Sequence, residues 1–424
     1  MMLWDNIRNS TLVKEAATLV SGNVLAQAIS MLAYLVLTRI FSPSDYALFN
    51  IFYSYIEVLI ILSTCKYELA VIVAKDDAET AAISRFTMRL NAMVSLLLLT
   101  VAAVLYFTGS LPGNFSDIGA IVLLIPPMVF FSGTSRVYSA LFNRLHRYKL
   151  IAAAETSNAA AGSLLKALFG LLGMSRVGLP LGAVLGQASA NLLYRFRLRK
   201  VNMPRSTRGE QLSVARKYRN FPLYVASKDF INSLSASLPF LWLALYFDRV
   251  EVGLFGLAFT MVFRPVNILN TAFERVLYAR TAESVRSRQR ISPVVLRFLL
   301  LLNVFAIPVC LMGWFVAEPL FTFLFGSEWN GCGVYVQALL PWILLSLNSA
   351  PLSFFSNVFS TQRTEFAFYL CLLLLRVAAM AVGIHAGNFL LAIRLYATAG
   401  TLVSVSLLLW YMWQMRRYER SLTN

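Results

Sequence analysis

Six cations and four carboxylates stand inside stretches that are otherwise apolar: Arg136, Lys166, Lys228, Arg264, Arg376 and Arg394 against Glu57, Glu155, Asp229 and Glu274. An Arg or Lys at the centre of a hydrocarbon layer costs about 2.5–3.5 kcal/mol on insertion scales. Groups of this kind therefore face water or an opposite charge. Arg394 lies near one end of its stretch, where a long side chain can snorkel out. The remaining excess of cations over carboxylates suits an anionic ligand better than a cationic one.

Uncharged polar residues run in stripes beside these charges. Asn23, Gln27, Ser30, Tyr34 and Thr38 recur every three or four residues, which is one face of a helix. Asn50, Ser54, Glu57 and Thr64 form a second stripe, Ser227 to Ser237 with Lys228, Asp229 and Asn232 a third, and Thr260, Arg264, Asn267, Thr271 and Glu274 a fourth. A single Ser, Asn or Gln in such a helix often does no more than pack helix on helix. The charges are what mark a water-filled cavity. Of the carboxylates, Asp229 adjoins Lys228 and reads as half of a structural pair. Glu57 has no basic residue within a turn of its own helix, so it reads as the better proton carrier; an Arg264 side chain reaching across to it would reverse that order.

Enzymatic chemistry has no such signature. No Walker-type phosphate loop is present, and His146 and His385 stand far apart without ligand-like companions, so neither a metal nor a cofactor is expected. The four cysteines are scattered; only Cys332 is expected in an exterior loop.

What must position these groups is a membrane-embedded helical framework. The chain has 424 residues, 58% apolar and 13% charged, with a mean hydropathy of +0.67; soluble chains carry about 25% charge. Runs of about 20 apolar residues can cross the bilayer core, and twelve are found: 18–40, 46–64, 90–107, 119–141, 151–173, 177–194, 221–247, 252–278, 294–317, 334–359, 366–385 and 390–412. The first reads as a retained span, since the polar N-terminus is not followed by a short apolar core with a cleavage site. Asp76–Arg89 reads as an amphipathic helix on the membrane surface. With the N-terminus cytoplasmic, only Arg39, Arg176 and Arg249 fall on the exterior, against 28 Lys and Arg on the cytoplasmic side. That asymmetry predicts twelve spans with both termini cytoplasmic. It also accounts for the net charge of +17 without nucleic acid: the basic loops face anionic lipid headgroups.

Two halves are visible. Asp45-Tyr46-Ala47-Leu48-Phe49 and Glu251-Val252-Gly253-Leu254-Phe255 open the second and eighth spans, and Ile125-Pro126 and Leu340-Pro341 recur in the fourth and tenth. Six spans per half make a parallel repeat, with domains expected at 1–196 and 221–424 and a basic cytoplasmic linker at 197–220. The fold class is all-α and polytopic, with about twelve transmembrane helices in two pseudo-symmetric six-helix bundles.

Several segments resemble the polysaccharide flippases of the multidrug/oligosaccharidyl-lipid/polysaccharide (MOP) exporter superfamily, in the O-antigen (Wzx-like) branch. They are Leu37-Thr38-Arg39-Ile40-Phe41-Ser42-Pro43-Ser44-Asp45-Tyr46, Lys66-Tyr67-Glu68-Leu69-Ala70, Asn143-Arg144 with Arg147-Tyr148, Tyr218-Arg219-Asn220-Phe221-Pro222, Phe325-Gly326-Ser327-Glu328-Trp329 and Ala350-Pro351-Leu352-Ser353. Lys66 stands where the family more usually has Arg, and Ala74 where that segment often ends in Pro. The resemblance implies a V-shaped pair of bundles and alternating access that moves an undecaprenyl-diphosphate-linked sugar unit across the bacterial inner membrane for O-antigen, capsule or exopolysaccharide. Partners implied are the lipid-linked glycan, the lipid bilayer, a polysaccharide polymerase and a chain-length regulator. Lys228, Arg264, Arg136 and Lys166 would then hold the diphosphate, and Asn23, Gln27, Asn232 and Asn267 the sugars. Glu57 or Asp229 would couple transport to an ion. A small-molecule multidrug exporter of the same superfamily is the alternative. A polymerase or ligase is disfavoured because the longest exterior segment, about Glu318–Gly333, is too short to hold a catalytic site.

Overall fold

The computed structural model describes residues 11–110, 118–199, 201 and 203–423, and among these there are helices and turns but no strand. The chain divides into two compact units, Met1–Ser233 and Leu234–Asn424. The first holds α1 (Thr11–Leu37), α2 (Pro43–Thr64), the short α3 (Tyr67–Val73), α4 (Asp77–Phe107), α5 (Ile125–Arg144), α6 (Tyr148–Leu171), α7 (Ser175–Leu198) and α8 (Arg208–Lys217). Helix α9 (Ser227–Trp242) starts in the first unit and ends in the second. The second continues with α10 (Arg249–Arg286), α11 (Ser292–Phe325), α12 (Cys332–Ser349), the short α13 (Phe355–Val358), α14 (Gln362–His385) and α15 (Phe389–Thr423).

Leaving aside the short α3, α8 and α13, twelve long helices remain among the described residues, one for each apolar run read from the sequence. Among the described residues, eight helical stretches are long and apolar enough by composition alone to cross a membrane; α1, α6, α7 and α9 are not among them. Helices α6, α7 and α9 carry Glu155, Asn158, Lys166, Gln187, Lys228 and Asp229. Helix α11 shows what surrounds the molecule. Only 11% of its most apolar window is buried, and Leu300, Phe305, Phe315 and Phe323 are exposed. An apolar face of that extent is stable against hydrocarbon and not against water.

Local chemistry sets the helix starts. Ser42 caps α2: the Asp45 N–H donates to Ser42 Oγ at 3.3 Å, and the Ser42 N–H donates to Asp45 Oδ2 at 3.0 Å. Pro43 occupies the first turn, where its missing N–H costs nothing. Asp248 does the corresponding work for α10, accepting from the Val250 N–H at 2.9 Å. Helices α6 and α7 meet along Gly182 and Gly186. A Cβ on Gly186 would sit 2.6 Å from Gly162 Cα, and one on Gly182 would sit 2.7 Å from Lys166 N, so the backbones touch. Small residues four apart permit that approach in a membrane.

Two expectations need correction, those for Asp76–Arg89 and for Cys332. Asp76–Arg89 is not a separate helix lying on the membrane surface. It is the first part of the 31-residue α4, because no Gly or Pro interrupts the run from Asp77 into Leu90. Its Thr80, Ala81, Ala82, Ile83, Ser84 and Thr87 are buried. The basic segment that follows α7 is also folded. Thr207 and Glu210 form a capping box for α8, which docks on α3 and α4: the Tyr67 hydroxyl donates to the Ala215 carbonyl at 3.2 Å, and Arg89 donates to Gln211 at 2.8 Å. Lys217 pairs with Glu79. This lifts the Lys217 ammonium above its ordinary pKa, chiefly through the hydrogen bond to that carboxylate. Cys332, expected in a loop, is the first residue of α12 and is buried, its thiol donating to the Leu254 carbonyl at 3.1 Å.

Candidate functional site

A cavity of about 590 Å³ opens inside the first unit, walled by α2, α3, α5, α6 and α7. Helices α2 and α3 meet at a sharp corner made by Cys65 and Lys66, both in the left-handed region at φ 48 and 59. Without that corner, Lys66 and Glu68 would follow the line of α2; with it, both side chains line the cavity. Arg136 and Asn143 enter from α5, Glu57 from α2, Glu155 and Asn158 from α6, and Gln187 from α7. Asn158 Nδ2 donates to Gln187 Oε1 at 2.8 Å, and Ser157 and Ser189 meet at 3.1 Å, so a polar seam joins α6 to α7 at the wall.

The charges are unevenly matched. Lys66 and Arg136 face Glu57, Glu68 and Glu155 in this one cavity, which leaves a carboxylate in excess. Glu68 is 5% exposed, and its Oε2 has no hydrogen-bond partner. Lys66 Nζ also reaches Asp229 Oδ2 at 2.6 Å, tying the start of α9 to the α2–α3 corner. The cation excess counted along the sequence does not describe this cavity. Part of that excess lies elsewhere: Arg376, in α14 of the second unit, is 2% exposed. It stacks on Trp342 at 4.5 Å and Tyr396 at 4.1 Å and donates to Ser235 Oγ at 2.9 Å.

The residues proposed from sequence are distributed as follows. Glu57 and Arg136 line this cavity together. Asp229 and Lys228 are neighbours on α9, yet Asp229 pairs with Lys66. Lys166 lies over the Phe49 ring at 4.8 Å. Gln27 on α1 is half-buried with an unpartnered side-chain oxygen, and the side chain of Asn23 lies outside the described residues. Asn232 is exposed on α9; Arg264 is half-buried and Asn267 exposed on α10 of the second unit. Sequence reasoning did not single out Lys66, Glu68, Asn158 or Gln187. Glu155 was noted as an intramembrane acid without a role. The polar spacing of Glu155, Asn158, Ser163 and Lys166 in α6 was available as a signal. Nothing in the spacing announced the left-handed corner.

A family model described as polysaccharide biosynthesis protein matches residues 36–334. The chain belongs to this family. The match takes in the whole cavity of the first unit and α9 to α11, and the fold is shared with solved transporters of the MOP superfamily. An inward-facing multidrug resistance MATE family transporter of that superfamily superposes with a TM-score of 0.69 at 13% identity, over 94% of this chain and 99% of its own. A MOP superfamily transporter from Pyrococcus furiosus, described as having a binding pocket of reverse polarity, gives 0.67 at 14% identity over 96% of both chains. An outward-facing MATE family transporter gives 0.61 at 14% identity, again over 96% of both. No curated protein sequence matches the chain.

Proposed function

We propose that this protein is a flippase that carries undecaprenyl-diphosphate-linked oligosaccharide repeat units across the bacterial inner membrane for surface polysaccharide synthesis, by alternating access. The observation that carries the reading is the conjunction of a polysaccharide biosynthesis family with a transporter fold whose first unit encloses a charged, hydrogen-bonding cavity. A lipid-linked sugar needs a passage that shelters its polar head while its hydrocarbon tail stays in the bilayer. The family supplies the sugar chemistry and the fold supplies the passage.

In this reading the basic end of each unit faces the cytoplasm, and so do both termini. Arg136, with Lys166, Lys228 and Arg264, engages the diphosphate; Gln27, Asn23, Asn232 and Asn267 serve the sugars. Arginine meets phosphate oxygens with paired N–H donors, which fixes orientation as well as charge. Glu57 or Asp229 exchanges an ion as the cavity changes sides, drawing on an ion gradient. The partners are the lipid-linked glycan and the bilayer, with a polymerase and a chain-length regulator downstream.

The carboxylate excess in the first unit favours a second reading, export of small cationic molecules, because Glu57, Glu68 and Glu155 together attract cations. Deletion of the gene separates the two. Loss of surface polysaccharide with accumulation of complete, single lipid-linked units supports the flippase. Unchanged polysaccharide with heightened sensitivity to cationic drugs supports the exporter, and a defect in polymer length alone overturns both.

A further inference from the structure

The corner between α2 and α3 is strained. Cys65 and Lys66 are consecutive, neither is glycine, and both sit in the left-handed region, a conformation that persists only where surrounding contacts over-determine it. Those contacts are present. The Cys65 N–H donates to the Ile61 carbonyl at 2.8 Å, and the adjoining Tyr67 is anchored through its hydroxyl to Ala215. Lys66 itself is held by Asp229 at 2.6 Å. The corner thus aims one ammonium at two places, the cavity it lines and the carboxylate at the start of α9.

The other side of the contact is also irregular. The turn entering α9, Phe221–Ala226, is π-helical, a wider winding found frequently at functional sites. Only Ile60, Ile61, Ala226 and Phe230 form the small apolar cluster there. The side chains of Lys66 and Asp229 are 16% and 36% exposed, so the pair is within reach of a ligand entering from water.

We propose that Lys66 is a binding residue for a phosphate-bearing headgroup and that it exchanges partners. Without ligand its ammonium holds Asp229; with a diphosphate in the cavity it turns to a phosphate oxygen, sharing that anion with Arg136, and α9 is released at its start. A diphosphate carries more charge than a carboxylate, so it competes for Lys66 on favourable terms. The exchange also answers what makes loading change the conformation. A ligand shifts an equilibrium only by binding one state better than the other, and the unlatched state offers the anion a second cation. In a cavity already holding three carboxylates, that second cation decides whether an anion is accepted at all. The inference deepens the flippase reading and rests on it for the source of the diphosphate.

Hydrogen–deuterium exchange of segment 221–233 in the full-length protein, in lipid nanodiscs, reads the latch directly, with inorganic diphosphate as the probe. Diphosphate should speed exchange there several-fold, whereas sodium chloride at the same ionic strength should not. Asp229→Asn should exchange fast without diphosphate and respond no further. Lys66→Gln should exchange fast as well and bind diphosphate at least tenfold more weakly. Lys66→Asp combined with Asp229→Lys should restore slow exchange, which distinguishes loss of the latch from loss of folding. Equal exchange in the parent and Asp229→Asn, equal diphosphate affinity in the parent and Lys66→Gln, or an equal response to chloride overturns the proposal. Because the probe needs neither glycan nor translocation, a latch that responds in a protein whose deletion leaves polysaccharide unchanged would refute only the flippase.

Discussion

Replacing Gly186 with alanine should loosen the helix pair that carries the amide wall of the cavity. The added Cβ would lie 2.6 Å from Gly162 Cα and 2.9 Å from both Asn158 O and Gly162 N. All three are backbone atoms that no rotamer change can move aside. Carbon atoms in ordinary contact sit about 3.5–4.0 Å apart, so α6 and α7 must separate by about 1 Å. Overpacking of this kind typically costs about 1–3 kcal/mol. The same separation acts on the Asn158–Gln187 hydrogen bond at 2.8 Å and the Ser157–Ser189 contact at 3.1 Å, which would open beyond the range of a hydrogen bond. Gly162 faces the same interface and supplies the control. Its own added Cβ would find Gly182 O and Gly186 Cα at 3.6 Å, ordinary contact distance. Gly162→Ala should therefore be neutral, or stabilising by up to about 1 kcal/mol through reduced chain entropy. Thermal unfolding of the two purified variants, followed by tryptophan fluorescence, should put Gly186→Ala several degrees below Gly162→Ala. Equal midpoints, or Gly162→Ala the less stable, would refute the packing argument.

Three further predictions follow from other parts of the fold. Arg376→Met should unfold at or above the parent's midpoint. It sheds a fully buried guanidinium whose Nε and Nη2 have no partner, at the loss of stacking worth about 2 kcal/mol; Arg376→Ala should fall well below both, because it leaves a cavity. Lys217→Ala should lower the midpoint in low salt and less in high salt. Since the Lys217 pKa is raised by Glu79, the contribution is fully present below the ordinary lysine value of about 10.4. It disappears only as pH rises through the raised value, so melting curves from neutral to about pH 9 should show a constant difference. Reporter fusions after Arg205 and Arg288 should register cytoplasm and those at Gly173 and Gly331 the exterior; one inverted result would break the proposed orientation.

The twelve long helices were legible because hydrocarbon imposes a length that hydropathy reports directly, and Ser42-Pro43-Ser44-Asp45 announced the start of α2 in its own side chains. Helix ends were harder to read. What charge patterning presents as an exposed amphipathic face at the start of α4 is buried at Thr80 to Ser84 and Thr87 beneath α3 and α8, a tertiary effect. Asp229 was read beside Lys228, yet successive residues on a helix point about 100° apart and do not face each other; its partner came from 163 positions earlier in the chain. Lys66 and Glu68 were not legible as cavity residues, because a left-handed corner built from Cys and Lys has no compositional signature. The cost of its charge led Arg376 to be expected against water or an opposite charge, and the structure instead covers it with Trp342 and Tyr396.

The central claim is that the protein moves a lipid-linked sugar across a membrane, and reconstitution tests it most directly. Purified protein in sealed vesicles would be supplied with an undecaprenyl-diphosphate-linked oligosaccharide confined to the inner leaflet, under an imposed ion gradient, with exposure of the sugar followed by an impermeant lectin. The account predicts exposure that depends on the protein and falls sharply in Arg136→Ala vesicles. Sugar that stays protected, in vesicles whose protein exports a cationic dye under the same gradient, would contradict it.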